Sequence, residues 1–265
     1  MSQKRQGAIF DRAGRARAQI TTLAQDYAAK HVIPLHFHDF DQLVYAAHGV
    51  MTVRTERGTW VVPTQRAVWI PAGIQHTIAM SGLVAMRTLY LRPRLSKRLP
   101  RDCCVVNVSP LLKELIVHAC ASGTLNKRIK WQRHLIDVIL DLLEFVQTVA
   151  LQLPNPTDPR ATHIVEALLA NGADGRPLAE ICRAAGASRR TAERLFQHEA
   201  GMTLGKWRQQ LRLMRGMQIL AEGAKVTYAA MEAGYSTPSA FISMFRKSLG
   251  TTPAQFFASG AQEET

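Results

Sequence analysis

Two hydrophobic periodicities divide this chain. Between His31 and Val108, short apolar runs rich in Val, Ile, Leu and Tyr are broken by turn signals at Glu56-Arg57-Gly58, Pro71-Ala72-Gly73 and Ser81-Gly82. Strands at this spacing predict a small barrel or sandwich. From Pro110 the repeat lengthens: Leu111, Leu112, Leu115 and Ile116, then Leu135, Ile139, Leu142, Leu143 and Val146, recur at helical spacing with charges on other faces. Two helices are therefore expected after the strands. The second is apolar on more than one stripe, which fits a dimer surface or packing on the barrel, and a homodimer is expected. Residues 153–159 then hold three prolines, which break any helix and stiffen a linker. Beyond them the chain reads as helical to its end. Thr203 caps a long helix from Leu204 to about Ala221 with Trp207, Leu211, Met214 and Met217 on one stripe, and Gly223 ends it.

The helical part repeats itself. Leu178 to Ser188 lines up with Val226 to Ser236 so that Gly186 and Gly234 coincide; one extra residue after the serines then aligns Phe196 with Phe245 and Gly201 with Gly250. Each half reads as a first helix, a tight turn on a glycine of positive φ, and a second helix begun by a capping serine. In the first half Ala192, Leu195 and Phe196 face inward. Arg189, Arg190, Glu193 and Arg194 are left outward, mostly donors suited to phosphates and guanine edges, although a charged helix face is by itself ordinary.

Charge sharpens this reading. The 265 residues carry a formal net charge of +13, with a pI near 10.1, which favours a polyanionic partner. The most apolar stretch, Leu135 to Leu153, contains Asp137, Asp141 and Glu144, so no membrane span is expected. The N-terminus lacks an apolar signal core, and Lys4, Arg5, Arg12, Arg15 and Arg17 read as a solvated basic tail. Cys103, Cys104, Cys120 and Cys182 lack CxxC spacing and read as reduced thiols, which points to the cytoplasm.

From about Arg160 to Phe257 the chain resembles the DNA-binding domain of the AraC/XylS family. The resemblance is carried by Gly234, Tyr235, Ser236, Phe241, Met244 to Lys247, Gly250, Pro253 and Phe256, with Leu211, Arg212 and Leu213 in the linker helix. It implies two recognition helices entering successive major-groove faces, with Arg190, Glu193 and Arg194 at base-touching positions of the first. The matching positions of the second hold Pro238, Ser239, Ile242 and Ser243; Pro and Ile cannot hydrogen-bond a base edge, so discrimination is expected mainly from the first half. The expected DNA-contacting set is Arg189, Arg190, Thr191, Glu193, Arg194, Thr237, Ser239, Ser243 and Arg246. RNA polymerase is the further partner that the resemblance implies.

A second constellation lies among the strands. His36 and His38, two apart, share a face of an extended segment; Gln42 and Gly49 follow, and Pro71, Gly73 and His76 form a later element. Three imidazoles with an open position suit one divalent transition metal, Zn, Ni, Fe or Mn. The alternatives are a direct effector contact and a structural role. This spacing resembles the cupin barrel, whose motifs supply three histidines and a carboxylate; here Gln42 stands in the carboxylate position. Gln42, Trp60, Trp69 and Tyr90 are candidates to line an effector pocket, though aromatics at strand spacing are also ordinary core.

The expected architecture is thus α+β. A tail over 1–24 leads to a cupin-like β-barrel sensor with two following helices over 25–153. A linker over 154–159 leads to an all-α domain of two helix-turn-helix units over 160–258. The expected function is sequence-specific transcription regulation in response to a small molecule or metal, without enzymatic activity. The alternatives are a metal-dependent cupin dioxygenase or isomerase, which leaves the double helix-turn-helix unexplained, and a non-specific architectural DNA-binding protein, which leaves the barrel idle.

Overall fold

A computed structural model describes residues 18–93, 95, 100–144 and 152–258. The chain forms two compact units, one of Met1–Thr55 and Trp60–Ala150, the other of Glu56–Thr59 and Leu151–Thr265. The basic residues from Lys4 to Arg17, and Val146 of the expected helical stripe, lie outside the described residues.

The strands through residue 125 are β1 (Ile20–Tyr27), β2 (Val32–His36), β3 (Asp41–Thr55), β4 (Gly58–Val62), β5 (Arg66–Ile70), β6 (His76–Leu91), β7 (Cys104–Asn107) and β8 (Thr124–Leu125). The sheet runs β7-β5-β3-β6-β1-β8, with β2 added on β6 and β4 on β3. Its frame is the antiparallel pair β3 and β6, in register from Asp41 opposite Leu91 to Thr55 opposite His76 and shifted between Ala46 and Val50. Gly49 sits in that irregularity at φ +79°, where any Cβ would collide with the Leu83 carbonyl, so the close approach of the two strands requires glycine. Two sequence expectations are corrected here. Ser81 and Gly82 do not end a strand; Gly82, at φ +73°, is absorbed within an unbroken β6. The first strand also begins at Ile20, inside the stretch assigned to the tail, because Ile20 to Tyr27 pairs with Leu91 to Val84.

Alternation gives the sheet two faces. Leu43, Tyr45, Trp69, Leu89 and Leu91 form one core with α1 (Pro110–Ser122) and α2 (Lys130–Glu144), which contribute Leu112, Ile116, Leu135, Ile136, Ile139 and Leu143. The apolar stripe of α2 is therefore spent on the sheet, while Trp131 and Val138 stay exposed. The opposite face carries Gln42, Met86 and Tyr90.

Among the described residues, the second unit holds β9 (Gln152–Pro154) and the helices α3 (Pro159–Ala170), α4 (Leu178–Ala184), α5 (Arg189–Glu199), α6 (Leu204–Ala221), α7 (Val226–Glu232), α8 (Pro238–Leu249) and α9 (Pro253–Ala258). Pro159 opens α3 behind the Asp158 cap, as proline does at a first helical turn. Gly186 and Gly234 take φ +72° and +85° in the two turns, as the repeat predicts. Ser188 caps α5, but the second recognition helix is capped by Thr237 in place of a serine, because the extra residue moves the cap one position on. Gly216 on α6 lets that helix receive Phe241, whose ring would lie 2.6 Å from a Cβ there.

Candidate metal centre and nucleic-acid interface

The three predicted histidines converge. His36 ends β2 directly opposite His76, which opens β6, while His38 comes from the loop just beyond β2 and not from the strand itself. Their candidate ligand atoms lie within 4.8 Å of one another, with ring centroids 4.2, 4.8 and 5.5 Å apart. Nδ1 of His36 donates to the Pro34 carbonyl at 2.7 Å, and Nδ1 of His76 to the Ile74 carbonyl at 2.9 Å. A carbonyl only accepts, so each ring has its proton on Nδ1 and its lone pair on Nε2, the form that binds a metal. Nε2 of His38, Nε2 of His76 and Oε1 of Gln42 are all buried without a hydrogen-bond partner. Burial pushes His76 down to about 3 and His38 down to about 4, and lowers His36 as well. The imidazoles are therefore neutral near pH 7, as ligation requires.

Beside the cluster lies a cavity of about 290 Å³ walled by Leu23, Tyr27, Ile33, Ile78, Met86 and Tyr90 together with Gln42. Gln42 donates through Nε2 to the Tyr90 hydroxyl at 3.4 Å, and His38 meets the Tyr90 ring edge-on at 4.9 Å. Of the predicted pocket residues, Gln42 and Tyr90 are thus in place. Trp69 is not: it pairs across to Leu43 in the core beneath the helices, with Nε1 donating to the Pro100 carbonyl. Trp60 is fully buried in β4 and does not line the cavity either. His31, outside the histidine pattern of the sequence, also lines the cavity and stacks on Tyr27 at 4.8 Å. The available signal was local, since the two residues flank the turn at Lys30, which has φ +64°.

The expected DNA-contacting residues fall into two groups. Arg190 and Arg194 on α5, and Ser239, Ser243 and Arg246 on α8, are exposed. The others already hold partners inside the protein. Thr191 meets the Ser188 cap, with 2.9 Å between hydroxyls, and the Thr237 hydroxyl accepts from the Ala240 amide. Arg189 is paired to Glu193 at 2.6 Å, and Glu193 also accepts from the Leu204 amide.

Residues 17–198 match an AraC-like ligand binding domain, and residues 181–259 match a helix-turn-helix domain. The chain belongs to the AraC family. It is similar to the HTH-type transcriptional regulator NimR of Escherichia coli K12, at 34% identity over 225 residues, 85% of this chain and 82% of that protein. It is similar also to the virulence regulon transcriptional activator VirF of Yersinia enterocolitica, at 27% identity over 199 residues, 71% of this chain and 70% of that one. Among solved structures, ToxT from Vibrio cholerae O395 aligns with 92% of this chain and 99% of its own at a TM-score of 0.40 and 10% identity. This AraC-family chain is a DNA-binding transcription regulator with a ligand-binding domain. Among its described residues no helix is long and apolar enough to cross a membrane.

Proposed function

We propose that this regulator couples occupancy of the site at His36, His38 and His76 to operator binding. In this reading the three imidazoles hold one divalent transition metal, Zn, Ni, Fe or Mn, with Gln42 Oε1 as a weaker fourth donor. The observation that carries it is the convergence of buried lone pairs: the Nε2 atoms of His38 and His76 lie without partners in a cluster with His36, and Gln42, whose Oε1 also has none, lines the same cavity as His36 and His38. A buried polar atom without a partner costs free energy, and a cation held by the three imidazoles would satisfy the two Nε2 atoms. The metal would supply a Lewis-acidic anchor for an effector. The chain's own residues do the rest. Pro34 and Ile74 carbonyls orient the rings, and Leu23, Ile33, Ile78 and Met86 wall an apolar space in which a small effector sheds its water.

On the output side, Arg190 and Arg194 read the operator from α5, and α8 contributes mostly phosphate and apolar contacts. Regulation and not catalysis is the role, because Gln42 holds the place of the carboxylate in the cupin pattern and the relatives are named as regulators. The protein acts in the cytoplasm as a homodimer, and polymerase contact is supported by a relative named as an activator. The sensor ends before the proline-rich stretch 154–159 and the reader follows it.

Protein purified without an affinity tag should carry a stoichiometric transition metal, and His36→Ala/His38→Ala should lose it while keeping its far-ultraviolet circular dichroism. Chelation should change operator affinity in wild type and leave the double variant unmoved. Metal-free wild type that binds its operator with undiminished response would leave these histidines as direct effector contacts.

A further inference from the structure

Glu193 occupies one of the positions expected to touch bases, yet its carboxylate is committed inside the protein. Oε1 accepts from Nε and Nη2 of Arg189 at 2.8 and 2.6 Å, and Oε2 accepts from the Leu204 amide at 2.8 Å. Leu204 is the first residue of α6, so its amide is one of the donors that a helix start leaves without an intrahelical partner. The Thr203 cap serves the Lys206 amide and leaves Leu204 to Glu193. A carboxylate there also faces the positive end of the helix dipole.

We propose that Glu193 is a positioning residue that fixes the first recognition helix to the linker helix, and that it does not read a base. This charged contact and the edge-on meeting of Phe196 with Trp207 at 5.8 Å both join α5 to α6. Together they set the rotation of α5 about its own axis. That rotation decides where the exposed Arg190 and Arg194 point, since they flank Glu193 three residues before and one after on the same helix. A base-reading glutamate would accept from a cytosine N4 amine, and reaching it would break the bonds to Arg189 and Leu204 beside a phosphate backbone of like charge. The same pairing draws Arg189 along the helix and neutralises it, so discrimination in this half rests on Arg190 and Arg194.

The test uses the full chain and an operator selected from random DNA, with every single-base change introduced in both half-sites. Glu193→Ala should weaken operator binding by about tenfold, the scale of one lost charge-assisted hydrogen bond. The loss should spread evenly over the base pairs under α5, leave the order of base preference intact, and spare the half-site under α8. Glu193→Gln keeps an acceptor for the Leu204 amide and should recover most of the affinity. A changed preference at a single base pair, above all a shift from cytosine to adenine in Glu193→Gln, would overturn the proposal in favour of a base reader. Equal losses in both half-sites that track a fall in melting temperature would overturn it in favour of general stability. Should Glu193→Ala fail to fold, the base preferences of Glu193→Gln decide alone.

Discussion

Arg194 is the side chain on which base recognition should turn most directly. It lies exposed on α5, and its guanidinium is a planar fork that matches the two acceptors of a guanine edge. Replacing it with alanine should cost about 1–3 kcal/mol on the operator and much less on random DNA. Titration of both DNAs by fluorescence anisotropy measures this; equal losses on the two would make Arg194 a phosphate contact. Legibility at this scale depended on what a residue's neighbours in sequence could reveal. His36, His38 and His76 were readable because a strand register can bring them together from two short motifs. Trp69 was not, because alternation defines two faces without saying which is which. Trp69 pairs with Leu43, one residue from Gln42, and that single step in parity puts it beneath the helices instead of in the cavity. Glu193 was legible as an outward residue, but its tie to Leu204 depends on how two helices meet, which helical periodicity does not encode.

Helices announced themselves better than strands. Ser188, Thr203, Gly186 and Gly223 carry their signals within one turn of the boundary they set, so α5 begins, and α6 begins and ends, where the sequence places them. The strands β3 and β6 do not, because a glycine of positive φ serves a turn or a bulge equally well, and only the partner strand decides between them. Packing between elements is as exacting as their ends. At Gly216 a methyl group would sit 2.6 and 2.7 Å from two carbons of Phe241, in a fully buried contact between α6 and α8. Gly216→Ala gains helix propensity on α6, but overpacking at this contact outweighs it, and the expected net loss is about 1–3 kcal/mol. Chemical denaturation should show this as a lower midpoint at unchanged slope; an unchanged midpoint would mean that Phe241 moves aside freely. The two recognition helices should also differ as readers. On the resemblance positions α5 offers Arg190 and Arg194, whereas α8 offers Pro238 and Ile242. Base-by-base operator scanning should find a strict half-site under α5 and a tolerant one under α8, and two equally strict half-sites would contradict this.

At the scale of the whole molecule, the histidine cluster and the DNA-binding domain belong to one chain, so any influence of one on the other is a coupling free energy and must be reciprocal. If metal at His36, His38 and His76 changes operator affinity by some factor, operator must change metal affinity by that same factor. Couplings of this kind run to about 5–150-fold. Operator titrations in buffers of fixed free metal give one factor; metal titrations with and without saturating operator give the other. Salt makes the comparison demanding. With a net charge of +13, operator binding should weaken steeply as salt rises, through release of counterions from the DNA. The coupling factor is a ratio of two affinities measured at the same salt, so the phosphate contribution cancels and the factor should stay level while both affinities fall. A factor that shrinks with salt would place the coupling in surface charge and not in the protein's conformational equilibrium. A factor of one at every salt would show that the histidine site does not govern DNA binding.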